Sequence, residues 1–169
     1  MKPTIGIPDN DRTEVATMLN TLLADEYVLT TKTRNAHWNI TDPSFFSLHT
    51  MFEEQFELLD IIIDTIAERI RSMGHYAIAS LNDFLKVTNL LEEKDDFSDS
   101  EQIIQTLLHD HETIIGIIRR DILPISETFK DAGTADFIIG ILEKHEKIAW
   151  MLRSSVHYAY GITKEANKT

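Results

Sequence analysis

The sequence contains no cysteine, which removes disulfide staples, thiolate nucleophiles, cysteine-ligated zinc and iron–sulfur clusters together. Whatever chemistry the chain performs must come from His, Asp and Glu. Proline and glycine are scarce, four and six in 169 residues, and most fall between long periodic stretches, where such residues punctuate helices. No run of about 18 apolar residues is present to span a membrane. Met1 to Asn10 holds no apolar core followed by small residues, so a secretion signal is not expected and a cytoplasmic location is. The chain also lacks a Gly-rich phosphate loop, a nucleophile elbow and an HExxH zinc motif. Basic residues are outnumbered, 16 Lys and Arg against 28 Asp and Glu, for a formal charge of −12. That balance repels nucleic-acid phosphates and favours cations as guests.

At 169 residues the chain suits one domain with its own core, led by a short arm over residues 1–10 and followed by a frayed tail over 162–169. Four long stretches repeat apolar residues at helical spacing, so the fold class is all-α. The first helix is predicted to start at Asp11, with Glu14 completing a capping box. It runs to about Ala36 on a stripe of Val15, Met18, Leu19, Leu22 and Leu23. Asp42 and Pro43 are predicted to open the second, since Pro at the first helical position loses no hydrogen bond, and Gly74 to close it. Its stripe is Leu48, Phe52, Leu59, Ile62, Ile66 and Ile70. Phe56, Ile61 and Ile63 lie off that stripe, more apolar surface than one intrachain face hides, and so imply a second interface.

Ser80 and Asp83 suggest a short extra helix in the long connection that follows. Ser98 and Glu101 predict the start of a third long helix, apolar at Ile104, Leu108, Ile115, Ile118 and Ile122 and ended by Pro124. The fourth opens at Gly133 or Thr134 and is apolar at Ile138, Ile141, Leu142, Ile148, Leu152 and Val156. Four such helices with a long crossover between the second and third make a four-helix bundle of ferritin-like topology.

The residues that carry chemistry sit on the second helix. His49, Glu53, Glu57, Asp60, Asp64 and Glu68 follow one another mostly at three- or four-residue intervals, so their side chains share one drifting stripe. Like charges at that spacing repel unless a cation neutralises them. On spacing alone, a solvated acidic face and a metal-binding row read equally well. His37, at the end of the first helix, and His49 add imidazole to carboxylate, the ligand mix that suits iron, manganese or zinc. A conventional di-iron bundle carries Glu-x-x-His on each of two helices. This chain has neither, so any metal site is built otherwise, and the surplus apolar face of the same helix suggests a subunit boundary.

Residues 37–49, HWNITDPSFFSLH, resemble the His-Trp-Asn stretch, Phe-Phe pair and second His of the Dps (DNA-protection-during-starvation) family. Residues 64–74, DTIAERIRSMG, resemble its second-helix signature, and residues 143–154, EKHEKIAWMLRS, its last helix; the likeness runs from about residue 10 to residue 160. What the resemblance implies is a homo-oligomeric, hollow dodecamer. It would oxidise Fe(II) to Fe(III), with hydrogen peroxide preferred to O2, deposit ferric mineral inside and protect against oxidative damage. The resemblance also implies a di-iron centre at the subunit interface and no organic cofactor. Its ligands would be His37 and His49 of one subunit with Asp64 and Glu68 of the partner subunit. Glu53 would be a further acidic ligand, direct or through water, and Trp38 would stand beside the centre.

Asp42 stands where the family usually has Gly at a turn of positive φ, a conformation Asp tolerates better than most residues. Members that coat DNA usually carry a longer Lys-rich amino terminus, whereas this chain offers Lys2 and Arg12, so DNA binding is not expected. By the same resemblance the last connection lines pores, and Glu127, Asp131 and Asp136 are either cation guides or ordinary loop and cap residues. His109 and His111 lie two apart and diverge by roughly 200° on a helix; His111 and His145 are expected in the core. Two readings of other classes stay open: a non-catalytic DNA-binding or scaffolding shell, and a monomeric helical module with a solvated acidic stripe.

Overall fold

The computed structural model describes residues 3–92 and 99–166, with side chains described as far as Val156. Lys2, the expected cap Ser98 and residues 167–169 of the tail lie outside the described residues. Five helices follow in order: α1 (Asp9–Asn39), α2 (Phe45–Ser72), α3 (Leu81–Val87), α4 (Ser100–Leu123) and α5 (Ala132–Ala166), with a π-helical turn at Pro124–Thr128 before α5. Among the described residues there is no strand and no helix long and apolar enough to cross a membrane.

α1 and α2 form an antiparallel hairpin. His37 meets His49 near its joint, while at the far end Asn20 donates to the Tyr76 carbonyl at 3.3 Å and accepts from the Ile78 N–H at 2.9 Å. α4 and α5 form a second hairpin, on which His111 meets His145. Asp42, just before α2, accepts from the Ser100 hydroxyl at the start of α4, so the two helices start at the same end of the bundle. The 28 residues of α2 extend about 42 Å, and the link from Ser72 to Ser100 must return that whole length. It carries α3 against α1 and is anchored by two buried charges of α1. Asp25 accepts from the Thr88 hydroxyl at 2.7 Å and the Asn89 N–H at 2.6 Å. Lys32 donates to the Leu91 carbonyl at 3.0 Å while pairing with Asp110 of α4 at 2.5 Å.

The six predicted stripe residues of α2 are all buried, as are Val15, Leu19, Leu22 and Leu23 of α1. On α4 the buried face differs from the expected one. Ile103, Leu107, His111 and Ile114 join Ile104 and Ile118 inside, whereas Leu108, Ile115 and Ile122 are half-buried. Apolar doublets leave the phase of such a helix open, and the contact of His111 with His145 sets it.

Several helix ends also move. α1 starts at Asp9, because the Pro8 carbonyl accepts the Arg12 N–H at 3.0 Å and the Arg12 guanidinium pairs with Asp9 at 2.7 Å; the Asp11–Glu14 box does not form. α2 starts at Phe45, not at Pro43. The intervening turn is closed by the Phe45 N–H on the Asp42 carbonyl at 2.9 Å. The Asp42 side chain accepts from the Ser44 N–H at 2.7 Å and, with Ser100 as the main cause, its carboxyl sits below the usual range. Asp42 is not in the left-handed region, since Lys130 is the one non-glycine with positive φ among the described residues. Gly74 does end α2, at φ +89, and a Cβ there would lie 2.6 Å from Pro3 Cδ, so only glycine admits both the turn and the arm packed on it.

Ser80 caps α3 as expected, accepting from the Asp83 N–H at 3.1 Å and donating to its carboxylate at 2.7 Å. Asp99 caps α4, accepting from the Gln102 N–H at 3.1 Å. α5 starts at Ala132, slightly before Gly133, and its backbone stays helical past Gly161 to Ala166, beyond the frayed end expected at 162.

Candidate metal centre

The joint of the first hairpin brings His37 and His49 face to face, ring centroids 3.7 Å apart and planes within 19°. Each locks the other: His37 Nδ1 lies 2.9 Å from the His49 carbonyl oxygen, and His49 Nδ1 lies 2.9 Å from the His37 carbonyl oxygen. A carbonyl only accepts, so each neutral ring carries its proton on Nδ1 and keeps the lone pair on Nε2 for a metal. Phe45 stacks on His49 at 5.0 Å and Phe56 meets His37 edge-on at 5.2 Å. His37 is buried and His49 half-buried, while Trp38 beside them is 69% exposed. Two imidazole Nε2 atoms are thus left free at the hairpin joint, a donor type that suits a metal.

The carboxylates are placed differently. Glu53 is one turn beyond His49 on the same helix and exposed. Asp64 and Glu68, also exposed, follow His49 by fifteen and nineteen residues, about 22 and 28 Å along the helix axis. One chain therefore cannot bring the histidines and these two acids together, and among the described residues no group of three or more His, Asp or Glu is arranged to hold a metal. Asp60 leaves the acidic row altogether, because it pairs with Arg34 of α1.

Of the pore candidates, Glu127 and Asp136 are exposed, but Asp131 is buried. Its carboxylate accepts from the Thr134 N–H at 2.9 Å and from Arg69 at 3.2 Å, so it caps α5 and ties it to α2. A cation-guiding role for Asp131 is corrected accordingly. His109 is exposed and His111 and His145 lie in the core, Nδ1 to Nδ1 at 2.8 Å, with His145 Nε2 2.8 Å from the buried Glu26. Burial, and next the neighbouring His145, hold the His111 imidazole well below its usual pKa. Arg34 and Phe56 escaped sequence reasoning as neighbours of the centre, since neither stands in a ligand motif; their only signal was spacing, one turn before His37 and two turns after His49.

Known proteins share this fold. The family model for the ferritin-like domain matches residues 16–158. The DNA protection during starvation protein 2 of Bacillus anthracis is 33% identical over 141 residues, 83% of this chain and 95% of that protein. The chain belongs to the Dps family of the ferritin-like superfamily. A low temperature-induced protein of Nostoc sp. (strain PCC 7120) is 43% identical over 152 residues, 90% of this chain and 85% of that protein. The crystal structure of the Dps protein from Vibrio cholerae O1, described as a ferritin-like diiron-carboxylate protein, superposes with a TM-score of 0.85 at 32% identity, covering 92% of this chain and 98% of that one. The Bacillus brevis Dps structure gives 0.81 at 30% identity, covering 89% and 99%. The Dps fold of four long helices with a short one in the crossover is thus the fold of this chain.

Proposed function

We propose that this Dps-family chain is a cytoplasmic ferroxidase and iron-storage subunit whose oxidising centre is completed by a second copy. One observation carries the reading: two imidazoles locked with Nε2 free stand about 22 Å along α2 from the nearer of the two carboxylates that would complete an iron site. A two-fold axis crossing α2 near residues 56–59 sets residue 49 of one copy opposite residues 64–68 of the other. The off-stripe Phe56 and Ile61 lie beside that crossing, and Ile61 is 57% exposed. His37 and His49 of one chain, with Asp64 and Glu68 of the partner subunit, then surround two ferrous ions, and Glu53 contributes directly or through water.

Iron is the substrate. Two Fe(II) give up one electron each, the O–O bond of hydrogen peroxide takes both electrons and two protons, and two Fe(III) and two waters result. Pairing the electrons avoids the one-electron cleavage that releases hydroxyl radical. Hard carboxylates favour the ferric product, and few protein ligands leave positions open for the oxidant. Twelve such subunits would enclose the space in which ferric mineral collects, reached past exposed acids such as Glu127 and Asp136 that draw cations inward.

Mixing two inactive variants tests the reading. His37→Ala/His49→Ala and Asp64→Ala/Glu68→Ala should each lose peroxide-driven Fe(II) oxidation as pure proteins. Co-assembled from equal parts, they should regain roughly one quarter of the native rate, because half of the random pairs restore one of two centres. No recovery in assemblies of native size would reject a shared centre.

A further inference from the structure

The candidate centre is braced by side chains that no ligand role requires. Arg34 lies one turn before His37, and its guanidinium carbon stands 4.8 Å over the Phe56 ring centroid. Asp60, one turn beyond Phe56 on α2, pairs with the same guanidinium. Phe56 in turn meets His37 at 79° between planes, and His37 stacks on His49. Asp60, Arg34, Phe56 and His37 thus form a continuous row across two helices. Both partners of the ion pair are more than a third exposed, and an exposed pair contributes little by itself. A lysine could supply the charge. What calls for arginine is a planar cation that covers an aromatic face while its N–H edge meets a carboxylate. Phe56 is half-buried and off the core stripe, so the bundle interior does not fix its ring.

We propose that Arg34 is a positioning residue of the centre: pinned by Asp60, it clamps Phe56 against His37 and holds that imidazole at the angle from which Nε2 meets iron. The inference rests on His37 being an iron ligand. Partners that orient a metal ligand change affinity by about 10- to 100-fold when replaced. A purely electrostatic Arg34 would act the other way, repelling the cation.

The assembled protein, titrated anaerobically with Co(II) and followed by its visible spectrum, separates these roles when Arg34→Lys and Arg34→Gln are run beside His37→Ala. With a clamp, both Arg34 variants weaken Co(II) by about tenfold, shift its absorption band and raise KM for Fe(II) with kcat little changed, at native assembly size. Native affinity in Arg34→Lys, or tighter binding in Arg34→Gln, overturns the clamp while His37→Ala, without saturable binding, keeps the centre. Native binding by His37→Ala overturns both. If the Arg34 variants fail to assemble, Phe56→Leu carries the test: the same loss supports the clamp and native affinity overturns it.

Discussion

A residue's environment separates the described histidines more sharply than their positions do. His37 and His49 leave Nε2 available because backbone carbonyls take Nδ1. His111 is spent on structure: it lies fully buried against His145, which reaches Glu26, and its Nε2 has no partner among the described residues. A proton there would sit in the core with nothing to accept its hydrogen bond, which is why burial lowers the pKa below the ordinary 6.5. The unfolded chain takes up that proton first, so the stability His111 contributes is fully present above the ordinary imidazole value and drains away as pH falls below it. The thermal midpoint is expected to drop steadily when the protein is acidified from about pH 7.5 to about 5.5. His111→Leu should flatten that drop, and an equal slope in the variant would show that other groups cause it.

At the scale of elements, the crossover shows how buried charge fixes a path. Lys32 and Asp110 are each about nine-tenths buried or more, and the Lys32 ammonium also holds the Leu91 carbonyl. Replacing one partner of such a pair leaves the other charge in the interior and costs about 3 kcal/mol or more, whereas replacing both can be close to neutral. Lys32→Met is therefore expected to lower the denaturation midpoint strongly, and Lys32→Met/Asp110→Leu to recover most of it. A double variant as weak as the single one would contradict the pairing. The Ser80 cap and the α2 stripe were plain in the sequence because a cap and a periodic face are local signals. The phase of α4 and the start of α2 were not. Ile103–Ile104, Leu107–Leu108 and Ile114–Ile115 offer two faces of similar hydrophobicity, and Asp42 gives one carboxylate oxygen to the Ser44 N–H and the other to Ser100, a partner 58 positions away.

For the molecule as a whole, Phe45, Phe46 and Ile61 are large apolar side chains left exposed on the helix that also carries His49, and exposed apolar surface can mark association. Ile61→Asp would put a charge into the proposed two-fold contact without replacing any proposed ligand. We expect a folded, helical protein of small size in sedimentation that has lost peroxide-driven iron oxidation. A monomer that still oxidised iron at the native rate would place the whole centre inside one chain.

The helix count, the long crossover and the apolar stripes of α1 and α2 were determined by sequence alone, because periodicity and caps are written in neighbouring residues. Tertiary structure decided which imidazole nitrogen stays free, that Asp60 and Asp131 are consumed by Arg34 and Arg69, and that His111 faces His145. Each of those outcomes depends on a partner tens of residues distant, whose approach is set by how the helices pack and by no local preference of the chain.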